Sequence, residues 1–168
     1  RGAIKILQNI DVLQRAFLRS EVIVQLDTGT FHRQLAEGKI DPHKEVVLNT
    51  PPRIELESAD SLGVMKFVRY DNEIVEIDVS AIHNCILVLT DRAFPGWSAE
   101  LDGVSTRLMT AYGTFRAVEV PKGRHRIVFS FRSVPYSVGN VVTIASVGIF
   151  FFAIVGFFSL SRFHSAKR

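Results

Sequence analysis

Apolar and polar residues alternate through most of this chain. Val75, Ile77 and Val79 alternate with Glu76 and Asp78, and Ile127, Phe129 and Phe131 alternate with Arg126, Ser130 and Arg132. A two-residue period is that of half-buried β-strands. The unbroken apolar run Ile86 to Leu89 predicts a central strand covered on both faces. Asp102-Gly103 favours a two-residue type I′ hairpin that pairs Leu101 with Val104, Ala99 with Thr106 and Trp97 with Leu108. In that register Trp97, Ala99 and Leu101 share a face with Val104, Thr106 and Leu108, and Glu100 reaches Arg107 diagonally on the other. A turn at Pro121-Lys122-Gly123 joins a strand from Phe115 to Val120 with one from Arg124 to Phe131. Another strand, Glu45 to Asn49, lies between loops marked by Asp41-Pro42 and Pro51-Pro52. One short helix is expected in this part, started by Asp27 or Thr28, carrying Phe31 and Leu35 four apart, and capped by Gly38. The spacing predicts a mainly β fold, a β-sandwich or jelly-roll-like domain over residues 1–135.

The pattern changes after Ser133. No charged residue occurs from there to Ser161, and Val138 to Leu160 is almost wholly apolar. Twenty-three residues in helical form span about 34 Å, against a hydrocarbon core of about 30 Å, so residues 136–161 are expected to form one C-terminal transmembrane helix. At about 100° per residue, Ala145, Gly148, Gly156 and Ser159 fall on one side and Phe150, Phe151, Ile154, Phe157 and Phe158 opposite, with Phe152 intruding on the small-residue side. The first side suits packing against other membrane helices and the second suits lipid. Arg162, Lys167 and Arg168 then make residues 162–168 a basic cytoplasmic tail and place residues 1–135 outside the cytoplasm. Lys122, Arg124, Arg126 and Arg132 precede the span but belong to the folded, translocated part, where they weigh less on topology.

Charge removes one class of function. The 168 residues hold 20 Lys and Arg against 17 Asp and Glu, and the excess sits in the last seven positions. Residues 1–161 are balanced, so a nucleic-acid partner, which needs a basic stripe on the folded body, is set aside. The single cysteine, Cys85, precludes an internal disulfide. The sequence begins with Arg1 rather than methionine, as expected of a segment cut from a longer chain.

Chemistry is sparse. The five histidines are scattered without an HExxH or similar pair, so no metal site and no cofactor of this segment's own are expected. There is no GxSxG, Walker loop or GxGxxG. Asp91 and Asp102 form a conceivable carboxylate pair, yet Asp102 is explained by its turn and Asp91 by a strand end, and no catalytic residue is assigned. Trp97 and Tyr112 are the candidate glycan-contact residues. Trp97 points with Ala99 and Leu101 toward the expected core, whereas Tyr112, in the loop Thr110 to Thr114, is freer. Lys122, Arg124, His125 and Arg126 suit lipid phosphates, or more simply a solvated hairpin.

The run Leu87 to Trp97, LVLTDRAFPGW, then Asp102-Gly103, then FRAVEVPKGRH from Phe115 to His125, resembles the C-terminal part of YfhO-type bacterial multi-pass membrane proteins. That family shows a strand ending in Asp, an aromatic-Pro-Gly-Trp turn, an Asp-Gly hairpin and a Phe-Arg-Ala-Val segment before a final membrane helix. Here Asp91, Pro95, Gly96, Trp97, Asp102, Gly103 and Arg116 occupy those places. Asn9 and Leu13-Gln-Arg-Ala-Phe17 resemble its upstream motif, with Gln14 where proline is usual. The resemblance implies a parent protein of the lipid-linked-sugar glycosyltransferase type, moving sugar from a polyprenyl-phosphate carrier to an extracytoplasmic polymer or glycan at the bacterial cytoplasmic membrane. It implies membrane lipid, the parent's other transmembrane helices and cell-envelope glycan as partners. The family's presumed catalytic acid lies in an early loop outside this segment, so an accessory role is expected.

The alternative is a cell-surface binding or structural β-sandwich module without catalytic activity, held by a C-terminal anchor. An apolar stretch with a short basic tail fits that too, although no LPxTG-like signal occurs. An independent soluble enzyme is disfavoured by the apolar span and the lack of a catalytic motif.

Overall fold

The computed structural model describes residues 12–25, 27–132, 139 and 141–154. It divides into two units, residues 1–131 and 132–168. Among the described residues the first holds eleven strands and one helix: β1 (Ala16–Arg19), β2 (Glu21–Val24), α1 (Thr28–Ala36), β3 (Glu45–Leu48), β4 (Gly63–Tyr70), β5 (Ile74–Ala81), β6 (Cys85–Arg92), β7 (Trp97–Leu101), β8 (Val104–Thr106), β9 (Met109–Ala111), β10 (Phe115–Val120) and β11 (Gly123–Phe131). Six form one sheet in the order β1-β6-β10-β9-β3-β2, and five form a second in the order β4-β5-β11-β7-β8.

The period-two segments form strands because each has one face to bury. Val75, Ile77, Val79 and Ala81 of β5 and Ile127 and Phe129 of β11 meet Cys85, Leu87 and Leu89 of β6 and Val118 and Val120 of β10 in a single apolar layer between the sheets. That layer makes the unit a β-sandwich. The apolar run of β6 is covered twice, as expected. Ile86 and Val88 point the other way and pack with Phe31 of α1, Ile40, Val46, Leu48, Met109 and Tyr112. A strand buried on both faces can therefore be apolar at every position.

The six-stranded sheet has an unusual closure. Its outermost strands, β1 and β2, are separated in sequence by Ser20 alone. Residues 16–24 thus pair with β6 through their first half and, in parallel, with β3 through their second. One continuous segment serves as both borders, so the sheet must curl around the second core until its edges nearly meet.

The helix starts and stops where the sequence places it. The Asp27 carboxylate accepts the backbone N–H groups of Gly29 and Thr30. At the other end the Gly38 and Lys39 N–H groups donate to Leu35 and Gln34, a Schellman arrangement with Gly38 in the left-handed region at φ 67°. The Asp102-Gly103 turn has φ of 52° and 79°, the signs of a type I′ turn, and it sets Leu101 opposite Val104 and Ala99 opposite Thr106.

Three expectations of register fail, for one reason. The chain changes sheets after β8 and again after β10. The hairpin ladder therefore ends at Thr106, and Trp97 does not pair with Leu108. Arg107 turns from Glu100 to Glu119 of β10, at 2.9 Å. Pro121-Lys122-Gly123 joins strands of different sheets and makes a corner instead of a hairpin.

In the second unit residues 141–154 are helical, with Val141, Val142, Ile144, Val147 and Phe150 to Phe152 exposed. Fourteen residues amount to about 21 Å. Among the described residues no helix is long and apolar enough to cross a membrane, so the expected span over 136–161 is not shown. Ala145 and Gly148 lie on the described helix. Gly156 and Ser159, and Arg162, Lys167 and Arg168, lie outside the described residues.

Candidate functional site

Three of the motif residues come together at one end of the sandwich. Asp91 is the last residue but one of β6, Trp97 opens β7, and Arg116 is the second residue of β10. The β6–β10 pairing slips there: Phe115 faces Arg92, the next residue Arg116 faces Leu89, and Thr90 and Asp91 are left bulged. A bulge re-aims side chains. Arg116 has the parity of Val118 and Val120, which face the sandwich core, and is 3% exposed. It is a cation at a core-facing position.

Its surroundings explain how that is tolerated. One Nη donates to Asp91 Oδ2 at 2.9 Å. The guanidinium carbon stands 3.7 Å from the centroid of the Trp97 ring and 5.6 Å from that of Phe129. A desolvated guanidinium over an indole gains about 2 kcal/mol from the ring quadrupole. Burial lowers the Arg116 pKa from its ordinary value; Asp91 opposes the change and Arg15 adds to it. Arginine nonetheless keeps its proton in proteins. Nε and the other Nη have no partner among the described residues.

Asp91 is a saturated carboxylate. Besides Arg116 it takes Arg15 at 2.8 Å and the Tyr70 hydroxyl at 3.0 Å to each oxygen, while Arg15 also donates to Tyr70. The cluster ties the ends of β4 and β6 to the starts of β1, β7 and β10. An acid held by two guanidinium groups and a phenol lacks a free oxygen for proton transfer. Its geometry is that of a clamp. Trp97 also packs on Phe131, with centroids 5.4 Å apart, so the indole is committed to this clamp. Pro95 and Gly96 form the turn that brings the indole back toward Asp91.

Asp102 stands beyond the other end of β7, five residues and on the order of 15 Å along the strand, so the two carboxylates do not converge. Asp102 Oδ1 accepts the Arg126 N–H at 2.7 Å and Oδ2 meets His125 Nδ1 at 2.7 Å. The Arg126 N–H, then the His125 ring, hold its carboxyl below the usual range. The acid thereby pins the hairpin tip to β11.

Tyr112 corrects the expectation of a freer ring. It is 5% exposed, at φ 49°, and its hydroxyl donates to the carbonyls of Glu45 at 2.6 Å and Pro42 at 3.2 Å. Burial pushes its pKa up to about 12. The ring packs beside Phe31 and Phe115, where no sugar stacks. Cys85 lies within the sandwich core, its thiol pushed up to about 11 by burial. Among the described residues no three His, Cys, Asp or Glu side chains gather to hold a metal ion.

Sequence reasoning identified Asp91, Trp97 and Arg116 without bringing them together, and it missed Arg15 and Tyr70. Arg15 stood inside the upstream motif, which was the available signal; Tyr70 ends an ordinary strand and had none. No protein-family model, curated protein or solved structure matches this chain.

Proposed function

We propose that this chain is the extracytoplasmic β-sandwich and final membrane helix of a YfhO-type multi-pass protein of the bacterial cytoplasmic membrane, a transferase moving sugar from a polyprenyl-phosphate carrier to an extracytoplasmic polymer or glycan. On this reading the segment is accessory: it braces the membrane portion or positions the acceptor, and catalysis belongs to the parent's other helices and loops.

The observation that carries the membrane part is the chemistry of residues 141–154. Large apolar side chains are exposed around the helix. Both of its hydroxyls are satisfied from within: Thr143 donates to the Gly139 carbonyl at 2.8 Å and Ser146 to the Val142 carbonyl at 2.8 Å. A helix in water gains nothing from such an exterior, whereas hydrocarbon requires polar groups to be satisfied internally. The clamped Asp91 supports the accessory role.

Topology is the direct test. Val104, at the hairpin tip, is 70% exposed, and the native Cys85 is fully buried. A Val104→Cys variant therefore gives one reactive thiol. A membrane-impermeant maleimide should label it in spheroplasts, and the protein should stay with membranes after alkaline carbonate. Labelling only after lysis, or release by carbonate, overturns the proposal.

A further inference from the structure

The outer face of the five-stranded sheet carries a second feature, at the end away from the Asp91 clamp. The register sets Val64 of β4, Ser80 of β5 and Arg124 of β11 in one cross-strand row, and Lys66, Asp78 and Arg126 in the next. These six residues line an open groove of about 500 Å³.

Its charges are unequally committed. Asp78 accepts both the Nε and an Nη of Arg126, at 2.7 and 3.1 Å. Asp102, also at the groove, is taken by the Arg126 N–H and His125. Lys66 makes no hydrogen bond among the described residues but stands across from Asp78, whose carboxyl its charge helps to hold low, and Arg124 makes neither hydrogen bond nor ion pair there. The groove thus sets Lys66, Arg124 and Arg126 against Asp78 and Asp102, with Arg124 the least committed, and adds the Ser80 hydroxyl and, in Val64, an apolar wall that is 72% exposed. Further along the sheet the positive excess ends, for Arg69 stands beside Glu76 and is already paired with Asp71. Glu76 lies beside Val128, which lies beside Glu100.

We propose that this groove binds an anionic saccharide, a glycan whose sugars carry a carboxylate or phosphate, with Lys66 and Arg124 on the anionic group and Val64 against an apolar ring face. A densely charged polymer such as nucleic acid would have to run its next phosphates over Glu76 and Glu100, where like charges repel. A glycan spaces its charges with neutral ring atoms and escapes that penalty. The proposal rests on the membrane reading above.

The test uses the full chain in neutral detergent micelles, titrated calorimetrically with tetragalacturonate, a mannose-6-phosphate tetrasaccharide and neutral maltotetraose. Binding of at least one anionic sugar, with a tenfold or greater loss in the Lys66→Gln, Arg124→Gln double variant and an unchanged denaturation midpoint, is expected. The anionic sugar that binds identifies carboxylate or phosphate as the group recognised. Equal binding of maltotetraose, binding of neither anionic sugar, or affinity unaffected by the double substitution overturns it. So does a result in which the two substitutions instead abolish binding to phosphatidylglycerol vesicles. Because the micelle assay ignores sidedness, sugar binding together with inward labelling of Val104→Cys would overturn the topology and leave the groove standing.

Discussion

The two ends of the β-sandwich use the same kinds of residue to opposite effect. At the β7 start a cation, Arg116, is buried between the sheets, with Asp91 and Trp97 closing on it. At the far end of the same strand, Asp102 sits on the surface, and nearby Arg124 has no hydrogen bond or ion pair among the described residues while Lys66 only stands across from Asp78. A buried charge must be neutralised where it stands, so its partners are consumed by the fold. An exposed charge is already stabilised by water, and its surplus is available for binding. The clamp is therefore where substitutions change stability, and the groove is where they change recognition.

Removing the clamp's anion should have the largest effect. Asp91→Asn leaves Arg116 buried beside Arg15 without a counter-charge, and the expected loss is about 3–5 kcal/mol in chemical denaturation. Adding Arg116→Met should recover much of it, since the pair removed together leaves no orphaned charge. If the single substitution costs less than 1 kcal/mol, water reaches Arg116 and the contrast between the ends disappears. Replacing the indole is milder. Trp97→Leu keeps apolar contact with Phe131 but loses the ring under the guanidinium, for about 1–2 kcal/mol; a neutral result would show that the stacking adds nothing beyond area.

The smallest effect belongs to the exposed end and appears only in acid. The Asp102 carboxyl is held below its ordinary range, so it binds a proton more readily in the unfolded chain. Its contribution is complete above the usual aspartate range and is lost as pH falls through the folded value. Asp102→Asn keeps a residue that tolerates the left-handed turn. The variant should have a slightly lower melting temperature near neutrality, and the difference should shrink between pH 4 and pH 2. A difference constant over that interval would mean that the carboxylate contributes nothing through its charge.

Much of the architecture was legible because local rules are strong where they act. Period-two alternation in β5 and β11, the doubly covered run of β6, the Asp27 cap and the Asp102-Gly103 turn all depend on neighbours in sequence, and each is found where the pattern puts it. The errors fall where the chain changes partners. A hairpin continued past Thr106 would set Arg107 near Glu100, but β8 gives way to β9 there and Arg107 meets Glu119. Nothing local to Tyr112 shows that α1 and the segment around Pro42 lie over it.

The alternation of side chains thus determined, by sequence alone, that this chain makes half-buried strands, where one hairpin turns, and that an uncharged apolar segment follows. Only the tertiary structure decided which strands share a sheet, how β1 and β2 border the same curled sheet, and that Asp91, Arg116 and Trp97 form one clamp. The reason is range. A turn or cap is chosen by interactions over a few residues, whereas the pairing of strands tens of residues apart is chosen by which arrangement buries both faces of β6 and leaves Arg116 with a counter-charge.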